Sequence, residues 1–284
     1  MRFLLGLVLS GAVGLAGYRR GVLAPSGVLG AVVVGTLVVG FGGWAWGLLL
    51  VAFFTSSSLL SLYRSHAPLK SQVSDKFAKG HRRDLSQTLA NGGLGALLAL
   101  MYSLSPHATL MAAFVGAMAT VTGDTWATEI GVLSPQVPRL ATTWRRVPPG
   151  TSGGITFQGS LAALAGALFI GLCAVLFIAA ERLTRAWGGV GVDGQPAAAA
   201  LWPLLPIAGV SGLVGTFFDS LLGASVQRIY YCDVCDKETE QSVHRCGNAT
   251  RPLRGWAWLD NDMVNFVSSC AGAALAAALA GWLA

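Results

Sequence analysis

Two aspartates stand where long apolar runs end, and each is followed by a hydroxyl residue. Asp124 precedes Thr125 in VTGDTWATEIG, and Asp219 precedes Ser220 in GTFFDSLLGASVQ. A carboxylate at membrane depth is costly unless it is paired or bound to a cation, and carboxylates from different helices suit Mg²⁺. The pattern predicts a magnesium site at Asp124 and Asp219, with Glu129 as a third ligand. Buried pairing of each carboxylate with an arginine is the alternative.

The segment WRRVPPGTSGGITFQGS combines charge, prolines and glycines in a way that suits a phosphate site. The prolines cannot continue a helix, and the glycines let the backbone approach a ligand closely. A helix then begins, and its first N–H groups can donate to an anion. No Gly-Lys-Ser/Thr follows, so the segment is not a P-loop, and an ordinary loop is the alternative. We expect phosphate contacts from Arg145, Arg146, Gly150, Thr151, Ser152, Gly153, Gly154 and Thr156.

A polar stripe enters the fourth apolar segment. In GHRRDLSQTLANGG, Gln87 and Asn91 follow Asp84 at spacings of three and seven residues, so the three share one helix face. Such a stripe faces protein or water rather than lipid. We expect Arg83 and Asp84 to be catalytic and the two amides to contact phosphate or nucleotide. The alternative is that Asp84 only caps the helix.

Three further amide side chains stand near the ends of later apolar segments. Gln227 closes DSLLGASVQ, and Asn261 and Asn265 are four residues apart in WLDNDMVN, hence on one face of a helix. Amides both donate and accept hydrogen bonds, so we expect these three to join the phosphate or nucleotide contacts.

A cysteine- and histidine-rich stretch, YYCDVCDKETEQSVHRCG, follows the seventh apolar segment. Its first cysteine pair has the C-x2-C spacing of zinc sites, whereas the H-x-C spacing is less usual. A cytosolic location disfavours disulfides. We predict structural zinc on Cys232, Cys235, His244 and Cys246, with free thiols or a redox pair as alternatives.

The composition indicates where all these residues are held. Of the 284 residues, 54% are hydrophobic and 11% are charged, whereas a soluble domain carries about 25% charged residues. We predict one all-α polytopic membrane domain over 1–284, with a cytoplasmic Cys/His loop at 228–258. The first apolar segment resembles a signal peptide, but we expect a transmembrane helix there. The eight apolar segments are 3–18, 21–41, 44–62, 88–104, 108–126, 155–180, 202–226 and 263–283.

The distribution of basic residues predicts the topology. When eight helices are threaded through a membrane, every lysine and arginine except Arg2, Arg182 and Arg185 falls on one side. Cytoplasmic loops carry the excess of such residues, so we expect this side to face the cytoplasm and both termini to lie outside. In a prokaryote the membrane would be the plasma membrane. The net charge of +6 therefore reports topology rather than nucleic-acid binding.

Five motifs in order, GHRRDLSQTLANGG, GDTWATEIG, RRVPPGTSGGITFQGSLA, DSLLGASVQ and LDNDMVN, resemble an integral-membrane family. This is the family once called domain of unknown function 92, which includes the plant phytyl-phosphate kinase and animal transmembrane protein 19. The resemblance runs from about residue 50 onward. The Cys/His loop is similar to that of some members only, so we expect no catalytic role for it. More distantly, the GDT-x-A element and the G-S-L-A loop are similar to dolichol kinase and CDP-diacylglycerol synthase.

The resemblance implies phosphoryl transfer from a nucleoside triphosphate, such as CTP, to a prenyl monophosphate, with Mg²⁺ at the two aspartates. Such chemistry depends on positioning and charge neutralisation, which matches the residue types. Two alternatives remain: a CTP-dependent cytidylyltransferase that makes a CDP-lipid, and a membrane transporter. A transporter requires polar groups at the midplane or on both sides, whereas here they crowd one side. The prenyl length, the nucleotide and the oligomeric state stay open.

Overall fold

A computed structural model describes residues 1–65, 82–187 and 200–283. Within these ranges eight long helices follow one another, one on each predicted apolar segment. They are α1 (Arg2–Arg19), α2 (Pro25–Leu37), α3 (Trp44–Ser65), α4 (Leu85–Leu104), α5 (Ala108–Gly131), α6 (Phe157–Trp187), α7 (Leu204–Ser225) and α8 (Asn261–Leu283). A π-helical turn, Val38–Gly42, extends α2. The basic residues Lys70, Lys76 and Lys79 lie outside the described residues, as do 188–199.

Five of the described helices are long and apolar enough to cross a bilayer. They cover Pro25–Gly42, Trp44–Tyr63, Phe157–Thr184, Leu204–Ser225 and Asn261–Leu283. The prediction of a helical membrane protein is therefore confirmed. The count of eight spans and the orientation in the membrane stay predictions.

Local signals explain where several helices begin. Pro25 opens α2 at a first-turn position that needs no N–H donor. Asp84 and Gln87 form a reciprocal capping box at the start of α4. Thr156 accepts from the Gly159 backbone at 3.0 Å, which caps the first turn of α6. These caps place the polar residues next to them at one end of the bundle.

Helix α5 is the central helix of the bundle. It packs against α3, α4, α6, α7 and α8, and it is buried on all sides from Met111 to Gly123, as expected for a helix that is apolar all round. A Cβ on Gly123 would lie 2.9 Å from the Ala163 carbonyl oxygen. Small residues therefore let the neighbouring helices approach closely, directly beside Asp124.

Two small antiparallel sheets depart from the all-α prediction. Strands β1 (Arg139–Leu140) and β2 (Gly154–Ile155) pair between α5 and α6. Strands β3 (Ile229–Cys232), β4 (Lys237–Thr239) and β5 (Arg251–Arg254) form a sheet in the order β4-β3-β5, between α7 and α8. Helix α6 continues beyond the predicted apolar segment 155–180, as far as Trp187.

Candidate active site

A polar pocket of about 280 Å³ lies at one end of the bundle. Helices α3, α5 and α7 end there, while α4, α6 and α8 begin there, because successive helices alternate in direction. Residues 149–154, which lead into α6, line one side of the pocket. The pocket therefore collects side chains from six helices and one loop.

Two aspartates lie at matching depth in this pocket. Asp124 is seven residues before the end of α5, and Asp219 is six residues before the end of α7. At 1.5 Å per residue they lie about 10 Å and about 9 Å from their helix ends. The Asp219 carboxylate accepts a hydrogen bond from Ser268 at 2.9 Å. Among the described residues neither aspartate pairs with a lysine or arginine, so the described contacts do not include the ion pairs of the structural alternative.

Arg83 is the cationic side chain among the described residues that line the pocket. It donates to the Ser58 hydroxyl at 3.1 Å, and the charge of Glu129 acts on it. Burial lowers the pKa of Arg83 to about 10 against the opposing effect of Glu129, so the guanidinium keeps its charge at neutral pH. Ser61 donates to the Glu129 carboxylate at 2.7 Å. These contacts hold one positive group at the edge of the pocket.

The glycine-rich loop adopts a conformation that requires glycine. Gly150 and Gly153 have φ angles of 76° and 75°, values that non-glycine residues adopt at a cost. A Cβ on Gly153 would also overlap the backbone of Ala224 in α7. The loop therefore packs tightly on the end of α7, and it lines the pocket next to the first turn of α6, where helix N–H groups favour an anion.

A chain of hydrogen bonds ties the loop to the second sheet. Ser152 donates to the buried Gln227 side chain at 2.6 Å, and Gln227 donates to Glu240 at 2.9 Å. Glu240 lines the pocket as well, and the sequence reasoning missed it. Its place between the two halves of the Cys/His motif was visible, but no sequence pattern shows that the sheet folds back onto the pocket.

Most of the predicted site residues meet in this pocket. They come from the ends of α4, α5, α7 and α8, from residues that flank these ends, and from the loop that leads into α6. They are Arg83, Gln87, Asn91, Asp124, Glu129, Gly150, Thr151, Ser152, Gly153, Gly154, Thr156, Asp219, Gln227, Asn261 and Asn265.

Three predicted residues do not line the pocket. Asp84 accepts from the Gln87 backbone at 3.0 Å as the cap of α4, so the structure favours the capping alternative for this residue. Arg145 and Arg146 are exposed, and the lining of the pocket in this segment begins only at Pro149. All three residues therefore lie outside the lining of the pocket.

The Cys/His motif forms a compact cluster beside the pocket. One ligand atom from each of Cys232, Cys235, His244 and Cys246 can be chosen so that all lie within 4.8 Å of one another. The Cys232 and Cys246 sulfurs are 3.7 Å apart, and His244 Nδ1 lies 3.2 Å from the Cys246 sulfur. Hydrogen bonds from Asn248 and His244 lower the pKa of the Cys246 thiol to about 6.

Comparison with known proteins finds one family that matches nearly the full length of the chain. The model of the integral membrane protein family DUF92 matches residues 8–273. Protein PGR of Arabidopsis thaliana is 32% identical over 94% of this chain and 92% of its own length. The uncharacterized membrane protein MJ0933 of Methanocaldococcus jannaschii is 29% identical over 72% of this chain and 84% of its own.

Protein VTE6, chloroplastic, of Arabidopsis thaliana is 27% identical over 89% of this chain and 64% of its own length. No solved structure matches the chain.

Proposed function

Because this chain belongs to the integral membrane protein family DUF92, we propose that it transfers a phosphoryl group from a nucleoside triphosphate to a prenyl monophosphate. The observation that carries the proposal is the pocket itself. It sets Arg83, a glycine-rich loop and two aspartates that pair with no described lysine or arginine around a single cavity at the end of a membrane bundle. The resemblance of five motifs to a family that includes a plant phytyl-phosphate kinase supplies the substrate class.

The chemistry of the donor set fits a hard divalent cation. Asp124 and Asp219 come from parallel helices at matching depth, and the carboxylate of Glu240 lines the same cavity. Mg²⁺ takes one or two protein carboxylates and completes its shell with phosphate oxygens and water. We assign Asp124 and Asp219 to the metal, which would neutralise charge on the transferred phosphoryl group. Glu129 was predicted as a third ligand, but in our proposal it orients Arg83, since its charge acts on that guanidinium.

The remaining lining groups suit phosphate oxygens. The loop from Gly150 to Gly154 lines the pocket, and the first turn of α6 lies next to it. The N–H groups of Thr151 and Gly154 donate within the segment, so those of Ser152 and Gly153 would donate to phosphate. Arg83 supplies a fixed positive charge with a planar fork of donors, which matches phosphate geometry. The amides of Gln87, Asn91 and Asn265 offer further donors. Together they would hold donor and acceptor phosphates in line, which is most of what phosphoryl transfer requires.

The acceptor needs no strong general base. An oxygen of the prenyl monophosphate is already anionic and attacks the γ-phosphorus of the nucleotide. The new O–P bond forms while the bond from the γ-phosphorus to the β–γ bridging oxygen breaks. The products are a prenyl diphosphate and a nucleoside diphosphate. Arg83 and the loop N–H groups would stabilise the charge that builds on the equatorial oxygens.

We also propose that the pocket faces the cytoplasm, where nucleoside triphosphates are available. Most of the basic residues fall on the pocket side of the threaded chain, as cytoplasmic loops do. The concentration of polar groups at this one end also favours an enzyme over a transporter, which requires polar groups along a path across the bilayer.

The test is an assay of purified protein in detergent or proteoliposomes. The protein is incubated with Mg²⁺, with CTP, ATP, GTP or UTP labelled at the γ-phosphate, and with prenyl monophosphates of several lengths. We expect label in a prenyl diphosphate. In a parallel incubation with CTP labelled at the α-phosphate, label in a CDP-lipid would instead identify a cytidylyltransferase in the same pocket. Absence of any product with every nucleotide and prenyl phosphate, in protein that is folded, would refute the proposal.

A further inference from the structure

A second cavity, of about 200 Å³, adjoins the polar pocket. It lies between α1, α2, α3 and the start of α4, and most of its lining is aliphatic or aromatic. Three residues line both cavities: Arg83, Gln87 and Asn91. The polar pocket and the apolar cavity therefore meet at the first two turns of α4, and one amphipathic molecule can occupy both.

At the junction of the two cavities a charged side chain lies beside aromatic rings, which suits a molecule whose phosphate is attached to a hydrocarbon chain. The guanidinium carbon of Arg83 lies 5.8 Å from the ring centre of Phe53 and 5.7 Å from that of Phe54. Arg83 also donates to the Ser58 hydroxyl. One face of the arginine thus packs on aromatic rings while its charge serves the polar pocket.

The apolar cavity runs along the bundle and opens toward lipid. Its lining on α3 extends from Phe54 back to Trp44, ten residues that span about 15 Å of helix. Leu9, Leu48 and Val51 line it as well, and each of these side chains is exposed on the outer surface of the bundle. In a membrane, such an edge faces acyl chains, so a lipid can enter sideways.

We propose that this cavity, bounded by α1, α2, α3 and the start of α4, binds the prenyl chain of the acceptor. The inference rests on the proposed function, because it places the phosphate of the same molecule in the polar pocket at Arg83. Continuity through three shared residues selects an amphipathic occupant whose anionic group and hydrocarbon chain are adjacent. Cavity length then limits the chain length that binds well.

A pair of variants on α2 compares a residue that lines the cavity with a nearby residue that does not. Ala31 lines the cavity, and Val33, two residues further, is 43% exposed and does not line it. Ala31→Phe adds a ring inside the cavity, whereas Val33→Phe adds a ring toward lipid. Neither residue lines the polar pocket, so the groups proposed to hold the phosphates are the same in both variants.

The first measurement is kinetic. With Ala31→Phe we expect the KM for a long prenyl monophosphate to rise about tenfold or more, while kcat/KM for a five-carbon monophosphate changes about twofold or less. Val33→Phe should leave KM and kcat/KM unchanged for both the long and the five-carbon acceptor. Equal losses on short and long acceptors in Ala31→Phe, or no loss on either, would overturn the assignment of the cavity.

The second measurement does not need turnover. A prenyl monophosphate with a diazirine at the far end of its chain is photolysed with the wild-type protein, and the labelled peptides are mapped. Label on α1, α2 or α3 that excess unmodified prenyl monophosphate removes would support the inference, even if no kinase activity is found. Label confined to other helices would overturn it, even in a protein with full kinase activity.

The Cys/His cluster carries a second, independent inference. Two sulfurs bound to one tetrahedral zinc at about 2.3 Å lie about 3.8 Å apart, and the Cys232 and Cys246 sulfurs are 3.7 Å apart. The turn between β3 and β4 supplies Cys235, and the turn between β4 and β5 supplies His244. We infer that the cluster holds one structural zinc ion, which fixes both turns of the sheet that carries Glu240 to the pocket.

Metal analysis of the purified full-length chain tests this inference. We expect about one zinc per chain, lost in a Cys232→Ser and Cys235→Ser double variant and retained in the matched control Cys270→Ser, a thiol in α8. Cobalt exchanged into the wild-type protein should give the thiolate-to-cobalt absorption bands of a tetrahedral site. Zinc that persists in the double variant, or wild-type protein that binds neither zinc nor cobalt, would overturn the site.

Discussion

Replacing either pocket aspartate by asparagine should lower the rate of phosphoryl transfer without lowering the stability of the fold. The Asp→Asn change at Asp124 or Asp219 keeps side-chain size and removes the charge that a metal ion requires. The Asp219 carboxylate accepts one hydrogen bond, from Ser268 at 2.9 Å, and an asparagine oxygen can accept the same bond. Each variant therefore isolates the electrostatic contribution of one carboxylate.

The expected loss of rate is large. Removing one group that stabilises developing charge in a closed site costs about 10²- to 10³-fold in kcat, which corresponds to about 2.7 to 4 kcal/mol. Excess Mg²⁺ should restore part of the activity wherever the defect is metal affinity. The two aspartates serve one ion in our proposal, so the double variant should lose little more than the worse single variant.

The expected change in stability is small. Neither aspartate pairs with a lysine or arginine among the described residues, so asparagine leaves no buried cation without a partner. Because a carboxylate without a cationic partner is costly at this depth, we expect the free energy of unfolding to stay the same or rise, and Tm to fall by no more than about 2 °C. If each aspartate were half of a buried ion pair, the cost would be about 3 to 5 kcal/mol.

The assay combines turnover as a function of Mg²⁺ with the Tm of the same purified sample. Asp262→Asn is the matched control, because Asp262 lies at the same end of the bundle, accepts a hydrogen bond from Ser86 and does not line the pocket. A folded Asp124→Asn protein with wild-type turnover would refute the metal assignment. A variant that unfolds would favour a structural ion pair instead.

Three further predictions concern Arg83, the glycine-rich loop and the membrane topology. Arg83→Lys keeps the charge but loses the planar donor fork, so kcat/KM should fall about tenfold or more, and Arg83→Gln should cost more than the lysine variant, as measured in the phosphoryl-transfer assay. Gly153→Ala should lower both activity and Tm, because the added Cβ would overlap the backbone of α7 at a positive φ. Single cysteines introduced in 65–80 should react with impermeant reagent from the cytoplasmic side only, and those in 188–196 from the outside only.

Each of these three predictions has a control or a result that would contradict it. Arg82→Gln should leave kcat/KM unchanged, because Arg82 is exposed and does not line the pocket; equal losses at both arginines would argue against a specific phosphate contact. Gly21→Ala shares the positive φ, at 72°, but a Cβ there meets nothing closer than 3.7 Å, so it should cost less than the Gly153 variant. Labelling of 65–80 from outside would reverse the assigned orientation of the pocket.

The sequence by itself determined the helices and the family. Each apolar segment predicts its helix because the hydrophobic run and its capping residues are local features, as Asp84 and Gln87 show at the start of α4. The five motifs also identified the family, which the match over residues 8–273 confirms. Alternating helix direction was enough to predict that Asp124 and Asp219 lie at the same end of the bundle.

Only the tertiary structure decided which of the polar residues share the pocket. Asp84 satisfies backbone donors of its own helix, and Arg145 and Arg146 turn to solvent, so composition overstated the positive charge of the site. Glu240 enters the pocket because β3 pairs with β4 and β5 and folds back on Gln227.

The apolar cavity, too, follows only from the tertiary structure. Its lining joins Leu9 of α1, Ala31 of α2 and Phe54 of α3 with Arg83, which precedes α4, and no local pattern relates these positions. Spacing along a chain determines which side chains share a helix face. Which faces then enclose a common space depends on how closely the helices pack, and that is set by contacts between residues far apart in sequence.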